Sequence, residues 1–353
     1  MENLVNADFW RDRRVLLTGH TGFKGGWLGL WLQSMGAQVT GLALTPNTKP
    51  NFFEATHLGD DLESRIADIR DLKVVEDVAR QSKAEIVFHL AAQPLVRDSY
   101  RDPVGTFATN IMGTVHVLEA CRLLGDLKAL VCITTDKVYA NNESNTLFHE
   151  EDRLGGRDPY SSSKAACELV IDSYRRCFYE QGAMVASARA GNVIGGGDWS
   201  SDRLVPDIVR AVESRQNLQI RHPESVRPWQ HVIEPIAGYL LLAQALATKQ
   251  ASFAGAFNFG PNESDCVAVE QIVQLAQSIY HERLQVEYGK SSVYEAKLLR
   301  LDNRKAWNML NWAPKWNVSR AMKQTLDWYQ AATEGANMRE FSLMQIRDWE
   351  RNT

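Results

Sequence analysis

The sequence predicts an α/β fold built on a doubly wound parallel sheet, and three observations carry that prediction. Short apolar runs alternate with amphipathic segments six times over the first 190 or so residues, the rhythm of strand, helix, strand. The first run, Arg14-Val15-Leu16-Leu17-Thr18, passes into a glycine triplet and then an apolar helical segment. The fifth run, Ala129 to Ile133, ends in a polar cluster, and open sheets of this kind bind ligands at the carboxyl ends of their strands.

The glycine triplet is Gly19-His20-Thr21-Gly22-Phe23-Lys24-Gly25, followed by an apolar helix from Trp27 to Met35 that Gly36 stops. Strand, glycine turn and helix form the context a dinucleotide loop requires. Gly19 permits the tight turn, Gly22 lets backbone approach a pyrophosphate, and Gly25 lets the helix pack close to the sheet. The helix N-terminus offers N–H groups and partial positive charge to phosphate. Thr21, Phe23 and Lys24 are read with this loop as cofactor-binding. The fold is therefore expected to be Rossmann-type and to hold a dinucleotide, with NAD and NADP both open on these residues.

Gln38 to Leu42 is the second strand. An NAD site usually carries an acid about 20 residues past the glycines. Here Ala43-Leu44-Thr45-Pro46-Asn47-Thr48-Lys49 supplies none. Thr45 or Asn47 can bond the ribose less tightly, so weak cofactor affinity is expected. Arg65 to Ile69 is the third strand, with Asp68 placed for the adenine amino group or as a helix cap, and Ile69 beside it. Glu85 to Leu90 is the fourth. Ala91, Ala92 and Gln93 follow, small enough at first to let backbone pass under a cofactor. A helix from Pro103 to Leu124 carries Asn110, whose amide can bridge helix and strand.

After the fifth strand comes Thr134-Thr135-Asp136-Lys137-Val138-Tyr139. Asp158-Pro159 then reads as helix cap and first helical position. Tyr160 and Lys164, one turn apart, face the same way. Ala183 to Arg189 is the sixth strand. Beyond it, Gly191 to Trp199 is glycine-rich and expected as loop, and Asp202 to Pro206 leads into a helix ending near Glu213. Arg221 to Val232 is expected to be loop-rich, with arginines to grip phosphate and an aromatic to stack on a base. Pro235 to Ala247 is a helix and Ala256 to Gly260 a returning strand. Residues 1–190 with a return at 230–262 are expected to form the dinucleotide-binding domain. Residues 191–229 and 263–353 form the smaller, mainly C-terminal α/β domain for substrate. Trp307, Trp312 and Trp316 in the tail read as core.

The chain has 353 residues and net charge −4, so no basic surface points to nucleic acid. No apolar run is long enough to cross a bilayer, and the N-terminus lacks a signal-peptide layout. Five scattered cysteines with no C-x-x-C pair argue for a reduced, cytoplasmic protein and against zinc or disulfides.

Tyr160 and Lys164 suit alcohol oxidation. A carbinol releases hydride as its hydroxyl proton is taken, and tyrosine, with a reference pKa near 10, needs help to act as base. A lysine one turn away and a nicotinamide cation would lower it. Thr135 can hold the reacting oxygen.

The combination resembles the extended short-chain dehydrogenase/reductase superfamily, in its nucleotide-sugar-modifying branch. The likeness rests on Gly19 to Gly25, Asp68-Ile69-Arg70-Asp71, His89-Leu90-Ala91-Ala92-Gln93, Thr134 to Tyr139, Tyr160 with Lys164, and Asn192-Val193-Ile194-Gly195. Thr135-Asp136 followed by a polar residue is similar to the sugar-nucleotide 4,6-dehydratases, where glutamate is usual and this chain has Lys137. The resemblance implies NAD and a nucleotide-sugar substrate. It implies Asp136 as acid for the departing hydroxyl and Lys137 at the base position. It places Asn192, Arg203, Leu204, Val205, Arg227 and Trp229 along the substrate. It also implies a homodimer, possible as half of a tetramer, through the Pro103–Leu124 and Pro159–Gln181 helices. A nucleotide-sugar 4-epimerase shares Thr, Tyr and Lys but needs no elimination pair. A non-catalytic cofactor sensor would have no use for an intact Thr135-Tyr160-Lys164 set.

Overall fold

A computed structural model describes residues 5–141, 147–180, 182–248, 251–289 and 298–351. Six strands follow the predicted rhythm: β1 (Arg14–Thr18), β2 (Gln38–Ala43), β3 (Glu63–Ile66), β4 (Ile86–His89), β5 (Ala129–Ile133) and β6 (Met184–Ala190). Then come β7 (Asn192–Ile194), β8 (Leu218–Ile220), β9 (Val226–His231), β10 (Ala256–Phe259), β11 (Cys266–Ala268) and β12 (Val286–Tyr288). The main sheet has seven parallel strands in the order β10-β6-β5-β4-β1-β2-β3. The order reverses direction between β1 and β4, which opens a crevice at their carboxyl ends.

Strands covered on both faces are apolar throughout. β5 is buried at every residue, and its two faces meet different clusters: Val131 and Ile133 on one side, Leu130 and Cys132 on the other. The helix Phe23–Ser34 is apolar all round, and accordingly Trp27, Leu28, Leu30, Trp31 and Leu32 are all buried. The C-terminal helix Met338–Arg351 covers it, with Trp349 edge-on to Trp31 at 5.6 Å.

Two small sheets lie beyond the main one: β11-β9-β7, and β12 with β8. Here the structure departs from expectation. Asn192–Ile194 is a strand rather than loop, paired in parallel with β9, and Val226–His231 is β9 itself. Three-residue strands leave no readable periodicity; they exist because a distant partner supplies their hydrogen bonds. The third strand lies a few residues earlier than Arg65–Ile69, and Asp71, not Asp68, caps the following helix by accepting from Val74 N–H. The Pro103–Leu124 segment is interrupted by a π-helical turn over Ala108–Met112. Trp312 and Trp316 are core, but Trp307 is 54% exposed, on the outer face of the short helix Arg304–Leu310. Gln181, the far end of the Tyr160 helix as expected, lies outside the described residues, and the helix runs Pro159–Phe178.

Candidate active site

A cleft of about 700 Å³ runs along the carboxyl edge of the main sheet and under the small sheets. Its floor is the glycine turn. Gly19 has φ +82°, and a Cβ there would stand 2.8 Å from the Ala91 nitrogen, so β1 and β4 can approach only with glycine. A Cβ on Gly25 would lie 2.1 Å from the Gly19 carbonyl oxygen, which holds the Phe23–Ser34 helix against its own turn. Thr21, Gly22, Phe23 and Lys24 line the cleft above them. This bare backbone cradle at a helix N-terminus fits a dinucleotide pyrophosphate.

At one end Thr45 and Asn47 line the wall opposite Asp68 and Ile69. Asp68 accepts from the Arg70 guanidinium at 2.6 and 2.8 Å, and that bond holds its carboxyl below the usual range. Ala91, Ala92 and Gln93 form the next stretch of wall. Asn110 stands one layer behind. Its Oδ1 accepts from the Gln93 N–H at 2.8 Å, and its Nδ2 donates to the Gln93 carbonyl at 3.1 Å and to Ser163 Oγ at 2.8 Å. The π turn that carries it, a feature frequent at functional sites, thus ties the wall to the Tyr160 helix.

The strand β5 surfaces at Thr134, and a short 3-10 turn follows over Asp136–Val138. Thr135 Oγ1 donates to Asp136 Oδ1 at 2.9 Å. Asp136 is only 2% exposed, and its Oδ2 is buried with no hydrogen-bond partner. Burial raises its pKa against the opposing pull of Lys137, Thr135, Arg227 and Lys24. The sequence placed a cation beside Asp136, which alone would keep it ionised; desolvation outweighs that cation. Lys137 is half-buried on the cleft wall.

The helix Pro159–Phe178 starts where the sequence placed it, with Asp158 accepting from Ser161 N–H at 2.9 Å. Tyr160 and Lys164 both face the cleft. Lys164 Nζ donates to the Ile133 carbonyl at 3.0 Å, anchoring the helix to the end of β5. The expected lowering of Tyr160 by Lys164 is not what the protein itself provides. Burial pushes the phenol up to about 12, with a Thr135 hydrogen bond and Arg203 pulling the other way. Lys24 is pushed down to about 7, first by burial and then by Arg203 and Lys164. Its Nζ lies 5.9 Å from the Tyr239 ring centre.

The roof carries the residues expected at the substrate. Asn192 pairs with Trp229 across β7 and β9. Trp229 is 4% exposed and donates its indole N–H to the Val267 carbonyl at 3.0 Å, so it is a fixed wall and not a loop aromatic. Arg203, at the start of the Leu204–Ser214 helix, donates to Asp198 at 3.2 Å. Leu204, Val205 and Arg227 complete this side. Every site residue expected from the sequence lines the cleft except Asn110.

Sequence reasoning missed Arg97, Asp202 and Glu168. Arg97 donates to Asp202 at 2.8 Å, and Arg221 reaches the same oxygen at 3.2 Å, joining floor and roof at the cleft mouth. Glu168, one turn past Lys164, accepts from Thr134, from Ser187 at 2.7 Å and from Arg189 at 2.7 Å. Its position at i+4 from Lys164 was a signal, but an acid there is ordinarily solvated.

A sequence model of the GDP-mannose 4,6 dehydratase family matches residues 16–325. The chain belongs to that family. Over 353 aligned residues, covering 98% of each chain, it is 46% identical to the CDP-glucose 4,6-dehydratase of Salmonella typhimurium. Among solved structures, it resembles the UDP-glucose 4-epimerase of Thermotoga maritima with UDP-glucose, at TM-score 0.80 and 22% identity over 90% of this chain and 99% of that one. It also resembles the dTDP-glucose 4,6-dehydratase of Bacillus anthracis in complex with NAD, at TM-score 0.77 and 21% identity over 93% and 99%. Those two likenesses establish the fold.

Proposed function

We propose that this chain is an NAD-dependent CDP-glucose 4,6-dehydratase, forming CDP-4-keto-6-deoxyglucose. The observation that carries the reading is the buried, half-unpartnered carboxyl of Asp136 beside Thr135, in the same cleft as Tyr160 and Lys164. An epimerase needs only the last three groups. A dehydratase also needs an acid for the departing hydroxyl, and the burial of Asp136 shifts its carboxyl toward the protonated form. The 46% identity to a CDP-glucose 4,6-dehydratase supports the choice of nucleotide sugar.

Gly19, Gly22 and Gly25 with the Phe23–Ser34 N-terminus would hold the pyrophosphate of NAD, and Thr45, Asn47 and Asp68 its adenosine half. When bound, NAD would supply a reversible hydride acceptor for the internal redox exchange between sugar C4 and C6. Tyr160, as phenolate, removes the 4-hydroxyl proton, and Thr135 orients that oxygen. Thr135 and Arg203 oppose the burial that raises the phenol, and a nicotinamide cation would add to them. The new ketone acidifies C5–H, and Lys137 takes that proton. Asp136 gives its proton to the C6 hydroxyl, which leaves as water. Arg203 and Arg227 supply fork-shaped donors for the diphosphate, with Trp229 as the apolar wall.

The product is a precursor for deoxysugars of bacterial surface polysaccharide, including O-antigen, made in the cytoplasm. The enzyme is a homodimer. Exposed apolar residues gather on two helices that pack together: Val104, Phe107 and Met112 after β4, with Leu169 and Phe178 on the Tyr160 helix. Such a patch marks an interface.

The test is incubation with NAD and CDP-glucose, followed by the alkaline ultraviolet absorbance of a 4-keto-6-deoxy sugar. An epimerase gives none. For the base, Lys137→Ala is expected to abolish solvent deuterium uptake at C5; normal uptake would remove Lys137 from that role.

A further inference from the structure

β7 ends at Ile194, and the next helix begins at Leu204. The stretch Gly195–Asp202 between them is fixed at both ends, on opposite sides of the crevice. The first end rests on elements that follow β1 and β2. The Trp27 indole N–H donates to the Gly196 carbonyl at 2.9 Å. A Cβ on Gly195 would stand 3.1 Å from Phe23 Cζ, and one on Gly197 2.5 Å from Phe52 Cδ2, so the backbone lies directly on those rings.

The middle is held from above. Tyr329 O–H donates to the Asp198 carbonyl. Arg210 donates to the Trp199 and Ser200 carbonyls, each at 3.0 Å. The Trp199 ring stands edge-on to Trp328 and Tyr329, both at 5.5 Å. The far end reaches the helix Val96–Arg101, which follows β4: Arg97 donates to Asp202 Oδ1 at 2.8 Å. Asp202 makes that contact from a left-handed φ of +57°, a conformation aspartate tolerates better than most residues. β1 and β4 are the neighbours between which the strand order reverses. A stretch tied to the helix after β1 and to the helix after β4 therefore crosses the crevice in which a dinucleotide lies. Gly195, Gly197, Trp199, Ser200 and Asp202 accordingly line the cleft.

We propose that Gly195–Asp202 is a strap closed over the cofactor, with the Arg97–Asp202 ion pair as its clasp. The first end and the middle are held by hydrogen bonds and ring contacts shared among several partners, and these do not part singly. The clasp is the point that opens. Its side chains are 28% and 30% exposed, so it parts without stranding a buried charge. Arg221 reaches the same Asp202 oxygen from the roof at 3.2 Å, so the carboxylate keeps a partner when the clasp is open. The strap makes up for a lack elsewhere. From Ala43 to Lys49 no acid stands at the end of β2 to hold the ribose, yet an internal redox exchange needs one cofactor to stay in the site throughout. A closed strap lengthens that stay without any contact to the ribose. Arg97 and Asp202 are thus positioning residues, which act through the strap and exchange no proton with substrate.

The clasp is tested without substrate, so its failure is separate from that of the dehydratase reading. NADH is bound, chased with excess NAD, and its release followed by stopped-flow fluorescence. Arg97→Met and Asp202→Asn should each speed release about fivefold, the factor given by the upper worth of an exposed ion pair, with the rate of binding changed much less. Arg97→Lys, which keeps the cation, should stay near wild type. The double variant Arg97→Met with Asp202→Asn should release NADH no faster than the faster single variant, because both changes break one contact. Two independent weakenings of the fold would instead add. Molar salt, which screens a partly exposed pair, should bring wild-type release toward that of the variants. Release at the wild-type rate from both Arg97→Met and Asp202→Asn would overturn the clasp, and so would acceleration by Arg97→Lys equal to that by Arg97→Met. Wild-type protein that retains no NADH would overturn the strap as a cofactor closure.

Discussion

Asp136 and Tyr160 both have raised pKa values through burial, with opposite consequences for the chemistry. A raised carboxyl stays protonated further up the pH scale, so elimination is expected to weaken as pH rises through its folded value. A raised phenol is a base only after deprotonation, so C4 oxidation should strengthen as pH rises. Stopped-flow absorbance of the reduced cofactor, compared with product formation, should show the two steps moving in opposite directions; parallel profiles would refute the assignment of acid and base. The same shift makes a stability prediction. Between the unfolded and folded carboxyl values, the folded chain holds a proton that the unfolded chain has lost, so stability falls as pH rises through that window. Asp136→Asn removes the penalty. It should raise the thermal midpoint at neutral pH while leaving C4 oxidation in place and stopping dehydration, so that reduced cofactor accumulates.

The glycine turn divides into positions that pack and positions that bind. Gly25→Ala would place Cβ 2.1 Å from the Gly19 carbonyl, whereas Gly22→Ala meets that oxygen at 3.4 Å with φ −81°. Gly25→Ala is expected to unfold or distort the turn. Gly22→Ala should fold normally and lose most of the thermal shift that NAD produces, because its Cβ stands where the pyrophosphate approaches. Behind the site, Glu168 joins the Tyr160 helix to β5 and β6 through Thr134, Ser187 and Arg189. Both partners of the Glu168–Arg189 pair are nearly fully buried, and breaking such a pair costs about 3–5 kcal/mol. Glu168→Ala should lower stability by that order in chemical denaturation. Little of this network was legible in the sequence, since Ser187 and Arg189 share one face of β6 but nothing local ties them to the helix acid Glu168. The strand and helix identities were legible, because β5 is apolar at every position and the Pro159 helix carries its own cap.

At the scale of the whole molecule, the apolar patch over Val104, Phe107, Met112, Leu169 and Phe178 predicts self-association. Leu169, 64% exposed on one chain, is expected to be buried between two. Val104→Glu with Leu169→Glu should give a monomer in sedimentation velocity, with the cleft residues untouched; a dimer that survives both changes would place the interface elsewhere. The cleft itself draws its floor from the first half of the chain and its roof from β7, β9 and the Leu204–Ser214 helix. Arg97 and Arg221, 124 positions apart, meet on Asp202 at its mouth. The sequence by itself determined the parallel sheet, the dinucleotide turn and the pairing of Tyr160 with Lys164. Each of those is written in neighbouring residues, through periodicity, glycine placement or helical spacing. Only the tertiary structure decided that β7 and β9 are strands, that Trp229 is a wall, and that burial raises the Asp136 carboxyl despite Lys137 beside it. Those outcomes depend on burial and on partners far away in the chain, and desolvation is a property of the packed site rather than of any stretch of sequence.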